Sequence, residues 1–264
     1  MTGFSADWLT LREPADHRSI NASVRARLLR HLAERDELAI VDLGSGTGSN
    51  LRGLAPDLPQ RQSWVLVDHD PALLEYNSAK PEVRTEVSRL CRDLSTGDLS
   101  GIGENADIVT ASALFDLVSP EVIAKIASQI AARRQIFYTV LTYDGIASWL
   151  PGHPLDAEMR GHFNAHQRGD KGFGPAAGPE ATTCLARAFE AAGYEVVRAR
   201  SPWVLTQACQ ALRLAVDEGW ANAVRDTGAL NPAAIDDWLR HRRSTTEPVT
   251  IVGHEDLLAF PPTP

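Results

Sequence analysis

The run Ile40-Val41-Asp42-Leu43-Gly44-Ser45-Gly46-Thr47-Gly48 constrains this chain more than any other stretch. Leu38 to Val41 show no polar alternation, the pattern of a parallel strand covered by helices on both faces. Asp42 ends the apolar run, and three glycines follow on alternate positions. Glycine takes positive φ readily and lets a ligand approach the backbone without meeting a Cβ. A strand, a tight glycine turn and a helix start together form the ligand crevice of a doubly wound sheet.

Spacing decides between ligand chemistries. The dinucleotide fingerprint G-x-G-x-x-G, opened at Gly44, needs glycine or alanine at position 49, where Ser49 stands. No Lys-Ser or Lys-Thr pair follows, so a triphosphate cradle is also missing. What remains, Asp42-x-Gly44-x-Gly46-x-Gly48, closely resembles the first motif of class I S-adenosylmethionine (SAM) dependent methyltransferases. The bland alternative is a glycine turn that holds no ligand.

That resemblance implies a division of labour. Gly44, Ser45 and Gly46 would wrap the methionine part of SAM while Asp42 helps hold its ammonium. Asp68 closes a second apolar run, Trp64 to Val67, near the roughly 20-residue spacing at which doubly wound folds place a ribose-binding acid. The family's ribose role therefore falls on Asp68, with His69 beside it. Asp93 would accept from the adenine amino group, and the Leu94 amide would donate to the ring. Ser112, at the end of the fourth strand, completes the expected cofactor set.

The implied fold is α/β, a doubly wound seven-stranded sheet, mostly parallel with an antiparallel last strand inserted between the fifth and sixth. Helices cover both faces, and a lid-like insertion follows the fifth strand. The whole chain, 1–264, reads as one domain. Residues 1–37 form an N-terminal cap and helix, 142–180 the lid, and 205–246 a helical insertion. The first stretch is either a cap, with Arg12 or Arg18 facing a carboxylate, or a solvated arm. Asp70-Pro71 caps a helix expected to run through Asn77, and Ser119-Pro120 caps another. The fifth strand is expected over Ile136 to Leu141, and the last strand is expected to be interrupted or bent near Gly253-His254. Trp220 and Trp238 read as core or oligomer contacts, which carries a homodimer as a further partner.

Composition removes other function classes. Thirty-four acids against 26 lysines and arginines give a net charge of −8, which argues against a nucleic-acid partner, since nonspecific affinity there comes from Lys and Arg neutralising phosphates. Three scattered cysteines suggest neither a disulfide framework nor a thiolate metal site. No apolar run reaches membrane-spanning length and the first residues lack a basic region with an apolar core, so a cytoplasmic location away from membranes is expected.

The acceptor is less constrained. Family members that methylate adenine or amide nitrogens carry an Asn/Asp-Pro-Pro-aromatic motif after the fourth strand, and Ala113-Leu114-Phe115-Asp116 stands there instead. The long polar stretch after the fifth strand reads as a functional loop. Within it, Tyr143, Asp144 and His166 are candidate catalytic groups, needed only if the acceptor is protonated. Asp116, Arg168, Lys171 and Phe173 are candidate substrate contacts, with Arg168 or Lys171 as an anion clamp. His162 and His166 lie four apart, a metal-compatible spacing, but no cysteine or second histidine pair accompanies them, and no metal is expected. A purely structural loop is the remaining alternative.

The expected activity is methyl transfer from SAM to a small polar metabolite. Its rivals are a noncatalytic SAM-binding scaffold or sensor subunit and an NAD-dependent oxidoreductase; aminopropyl transfer from decarboxylated SAM is a sibling reading that the loop alone does not separate.

Overall fold

The computed structural model describes residues 4–59, 61–76 and 84–263. Helix α1 spans Ala6–Ser19 and α2 spans Ala22–Leu32, where the Asn21 side chain caps α2 by accepting from the Ser23 and Val24 amides at 3.0 and 3.2 Å. Strand β1, Glu37–Leu43, leads through the glycine loop into α3, Ser49–Leu54. Strand β2 is Arg61–Asp68 and α4 is Pro71–Glu75, so Asn77 lies outside the described residues. Then come β3 (Arg84–Cys91), β4 (Ile108–Ser112) and α5 (Pro120–Ala132), the last capped by Ser119 accepting from the Val122 amide at 3.3 Å.

Strand β5 covers Ile136–Leu150, followed by α6 (Asp156–Gln167), α7 (Ala181–Ala191), β6 (Glu195–Arg200) and the short β7 (Trp203–Leu205). Helices α8 (Gln210–Thr227) and α9 (Pro232–Ser244) precede β8, Val249–Phe260. The sheet order is β3-β2-β1-β4-β5-β8-β6, with β7 paired to β8. Strands β1 to β5 are mutually parallel, and β8 runs antiparallel between β5 and β6. The sheet thus has eight strands; the additional one is the three-residue β7.

Adjacent residues of β1 feed different cores. Ile40 packs with Val24, Leu28 and Leu32 of α2 on one face, and Val41 with Ile123, Ile126 and Ile130 of α5 on the other. This two-sided burial is why the strand has no polar positions to alternate. Among the described residues no helix is long and apolar enough to cross a membrane.

Three sequence expectations are corrected here. Strand β5 does not stop at Leu141: it runs on to Leu150, pairing Ala147 with Val252 and Leu150 with Val249. Residues 142–150, assigned to the lid, are therefore sheet. The reason is β8, whose length offers backbone partners well beyond the fourth strand's reach. Second, β8 is continuous through Gly253-His254; the register breaks fall between Thr139 and Thr142 and between Tyr143 and Ala147, on β5. Third, the expected helix from Leu205 begins only at Gln210, because Leu205 is still paired with Thr250.

The helical insertion packs by aromatic contact. Trp220 stacks on Phe163 of α6 at 3.7 Å between centroids, and Trp149 meets Trp220 and Trp238 edge-on at 5.0 and 5.3 Å. Trp220 and Trp238 are both buried, so they are core residues of a single chain. Beneath them Asp217 accepts from Arg213 Nη1 at 2.9 Å, Trp149 Nε1 at 3.2 Å and Thr250 Oγ1 at 3.0 Å.

Candidate functional site

The C-terminal ends of β1 to β4 open on a cavity of about 710 Å³. Its floor is the glycine loop. Gly44 and Gly46 have φ of +64° and +52°, a region costly to other residues. The space is closed as well: a Cβ on Gly44 would lie 2.9 Å from Leu114 Cδ1, and one on Gly46 2.9 Å from Leu9 Cδ1. The loop is therefore pressed between α1 and the turn after β4.

Asp42 is fully buried. Asn50 Nδ2 donates to its Oδ1 at 2.9 Å, while Oδ2 has no hydrogen-bond partner. Burial, with a smaller contribution from the nearby Asp68 carboxylate, raises its pKa to about 7. Asp68 is tied down differently. Its Oδ2 accepts from the Gly46 amide at 2.8 Å and its Oδ1 from the Asp70 amide at 3.0 Å, with His69 Nδ1 at 3.2 Å. Asp93 is exposed; the Ser95 amide and hydroxyl bind its two oxygens at 2.8 and 2.9 Å and hold its pKa low.

Helix α1 forms one wall. Leu9, Arg12 and Asp16 line the cavity together with Phe4. Arg12 donates from Nε and Nη2 to the two oxygens of Asp16 at 2.8 and 3.1 Å, and lies 4.8 Å from the Trp203 ring centroid. Burial raises the Asp16 pKa despite those contacts and the Trp203 Nε1 hydrogen bond at 3.0 Å. The helix is bolted to the loop: Glu13 pairs with Arg52, which donates to the Thr47 carbonyl at 2.6 Å, and His17 Nε2 lies 3.0 Å from the Ser49 carbonyl. Of the two arginines singled out in this stretch, Arg12 faces a carboxylate, whereas Arg18 donates to Cys209 Sγ at 3.2 Å.

Residues 170–173 form a further part of the wall, of which Lys171 and Phe173 were expected. All nine expected cofactor residues line this one cavity: Asp42, Gly44, Ser45, Gly46, Asp68, His69, Asp93, Leu94 and Ser112.

The remaining expected residues sit outside the lining. Tyr143 and Asp144 belong to the unforeseen continuation of β5. The buried Tyr143 hydroxyl donates to Asn164 Oδ1 at 2.7 Å, and burial pushes its pKa far up. Asp144 Oδ1 accepts from the Ile146 amide at 2.9 Å. Arg168 Nη1 donates to the Asn164 carbonyl at 3.3 Å. His166, on α6, stands behind the wall, its Nδ1 3.3 Å from Lys171 Nζ, and burial lowers its pKa. Asp116 follows the lining residue Leu114 by one helical half-turn; its Oδ1 is sealed from solvent without a partner, and burial raises its pKa to about 6. Among the described residues no group of three or more His, Cys, Asp and Glu could hold a metal ion.

Sequence reading missed Leu9, Asp16 and Asn50. The i,i+4 spacing of Arg12 and Asp16 is a legible signal of a pair. Nothing in the sequence announced that α1 covers the loop.

No family model matches the sequence, and no curated protein matches it. Similarity emerges at the level of structure. The YcgJ protein of Bacillus subtilis superposes with a TM-score of 0.51 at 12% identity, covering 92% of this chain and 100% of that one. A provisionally assigned methyltransferase of Bacillus halodurans C-125 gives 0.50 at 16% identity, with 92% and 100% covered. Similarity at such identity speaks to fold.

Proposed function

We propose that this chain, which has the class I methyltransferase fold, transfers a methyl group from SAM to a small polar acceptor. The observation that carries this reading is Asp42 Oδ2, a buried carboxylate oxygen without a partner at the mouth of a loop that a single Cβ would obstruct. A buried anion without a partner is costly unless a ligand cation meets it. The ammonium of a methionine moiety is such a cation, and the bare backbone at Gly44 and Gly46 suits its close approach. Asp68 retains acceptor capacity on both oxygens for a vicinal diol, and Asp93 and Leu94 follow β3 on the same side for the adenine edge.

SAM bound there would supply a methyl on a sulfonium carbon, open to in-line displacement by the acceptor. The chain needs no nucleophile of its own. Its task is to hold the two reactants at near-attack distance and exclude water. Helix α1 and residues 170–173 supply those walls. Lys171, Phe173 and Asp116 are the groups assigned to the acceptor, with His166 behind Lys171. A volume of about 710 Å³ falls within the roughly 300–1,000 Å³ of pockets for drug-sized ligands, which favours a small second reactant.

Calorimetric titration with SAM, S-adenosylhomocysteine and NAD tests this reading. Micromolar binding of both adenosyl ligands without NAD is expected. Binding of NAD alone, or of none, removes the methyltransferase reading.

A further inference from the structure

Helix α1 turns one stripe of side chains to the cavity. Leu9, Arg12 and Asp16 all line it, at the i, i+3, i+7 spacing of a single helix face. The neighbouring stripe fastens the helix to α3: Glu13 pairs with Arg52, and His17 Nε2 lies 3.0 Å from the Ser49 carbonyl. Leu9 meets the glycine loop itself, since a Cβ on Gly46 would lie 2.9 Å from its Cδ1. Arg12 follows Leu9 by about 4.5 Å along the helix axis, so its stem starts beside the loop.

The Arg12 guanidinium is held but not used up. Its side chain is 12% exposed; Asp16 takes Nε and Nη2 at 2.8 and 3.1 Å, and the Trp203 ring centroid lies 4.8 Å from Cζ. A guanidinium presents five donors in a planar fork, and two are occupied here. Nη1 makes no hydrogen bond among the described residues. The terminal edge, formed by Nη1 and the second hydrogen of Nη2, matches a second carboxylate in the bidentate manner.

The amino-acid end of SAM calls for such a group. It carries an ammonium and a carboxylate on one carbon, so a ligand whose ammonium meets Asp42 brings its carboxylate to the same loop. The loop amides are largely engaged: Ser45 donates to the Val67 carbonyl at 3.0 Å, Gly46 to Asp68 Oδ2 at 2.8 Å and Gly48 to the Ser45 carbonyl at 2.8 Å. Helix α3, six residues long, has little dipole to add. A buried carboxylate without a partner is costly. Among the lysines and arginines of the lining, Arg92 follows β3, the outermost strand, and Lys171 follows α6, whereas Arg12 is borne by the helix that touches the loop.

We propose that Arg12 receives the α-carboxylate of SAM on its free edge, and that this contact makes the cavity select SAM over decarboxylated SAM. The assignment rests on the methyl-transfer reading. The glycine loop and Asp42 suit either ligand, because both carry the amine. A guanidinium edge that finds no carboxylate is what tells them apart. Arg12 thus separates methyl transfer from aminopropyl transfer at the binding step.

The test is a cycle of two ligands and two proteins read by calorimetry. S-adenosylhomocysteine and its decarboxylated analogue, S-adenosyl-3-thiopropylamine, are titrated into the wild type and into Arg12→Met. The wild type should bind S-adenosylhomocysteine roughly tenfold or more tightly than the analogue. In Arg12→Met that preference should shrink to about threefold or less, while the Kd of the analogue stays within about twofold of the wild-type value and so shows that the variant is folded. Arg12→Gln, which keeps a hydrogen-bonding head without the charge, replaces Arg12→Met if the latter does not fold, with the same expected result. Equal binding of the two ligands by the wild type overturns the carboxylate assignment alone, as does a preference that survives in the variant. Equal weakening of both ligands in a folded variant overturns it too, since Arg12 would then act by seating α1. If neither ligand binds the wild type, the methyltransferase reading fails and takes this one with it.

Discussion

Asn50 Nδ2 donates to Asp42 Oδ1 at 2.9 Å and to Thr110 Oγ1 at 3.0 Å, so one amide fixes the rotamer of the buried acid and leaves its other oxygen, Oδ2, unpaired. Asp42→Asn keeps the shape and removes the charge. A hydrogen bond to a charged group contributes about 1.5–3 kcal/mol, so affinity for S-adenosylhomocysteine should fall roughly tenfold to a hundredfold. Calorimetry reads this directly, and an unchanged Kd would detach Asp42 from the ligand.

The same carboxyl predicts how ligand-free stability varies with pH. Its folded pKa, about 7, lies above the 3.8 of an unburied aspartate. The folded state therefore binds the proton more tightly, and the stability this provides is complete below pH 3.8 and is lost as pH rises toward 7. The loss amounts to no more than about 4 kcal/mol. Asp16 and Asp116, also raised by burial, add in the same sense. Urea midpoints of the ligand-free protein should decline from pH 4.5 to 7.5, and Asp42→Asn should flatten that decline. A slope identical in both proteins would mean that Asp42 is not the titrating group.

Asp68 and His166 should separate cofactor from acceptor. Asp68→Ala removes the acceptor of the Gly46 amide as well as the proposed ribose contact, and should weaken S-adenosylhomocysteine at least tenfold. His166→Ala lies behind the lid wall and should leave that affinity within twofold, a change of about 0.4 kcal/mol. Comparable losses in both variants would contradict the separation.

Asp217 tests the helical insertion. Arg213 and Asp217 are both buried and 2.9 Å apart, with Trp149 and Thr250 donating to the same carboxylate. Removing one partner of such a pair strands the other charge, at a cost of about 3–5 kcal/mol. Asp217→Ala should lose that much in urea unfolding, while a doubly substituted Arg213→Met, Asp217→Leu protein should recover most of it. Failure of the double variant to recover would assign the loss to Trp149 and Thr250 instead.

The glycine-loop half of the cavity was legible because its information is local: an apolar run, an acid and glycines at fixed spacing specify β1 and its loop without reference to the rest of the chain. The same holds for Asp68 at the end of β2. The walls were not legible in this way. Helix α1 contains Pro14 and has no apolar stripe, so its sequence does not declare which surface it covers. Strand β5 looks broken at Thr142-Tyr143-Asp144-Gly145 because its continuation depends on pairing with β8, a tertiary fact. Tyr143 and Asp144 were drawn into the candidate site by that misplacement, whereas Lys171 stayed in it because residues 170–173 return to the cavity on a real loop.

The placement of β8 also sets an order of assembly. Strand β2 pairs with β1 and β3 with β2, close in sequence, while β4 reaches back to β1; among the described residues β6 joins this sheet only through β8, whose Ala259 meets both Phe137 and Val196. Contacts between distant segments form slowly because the intervening loop must first be closed. Fastening on the half of the sheet that carries β6 and β7 therefore waits for the last strand, and a chain interrupted before residue 249 would leave β5 and β6 as two open edges, each a template for pairing with other chains.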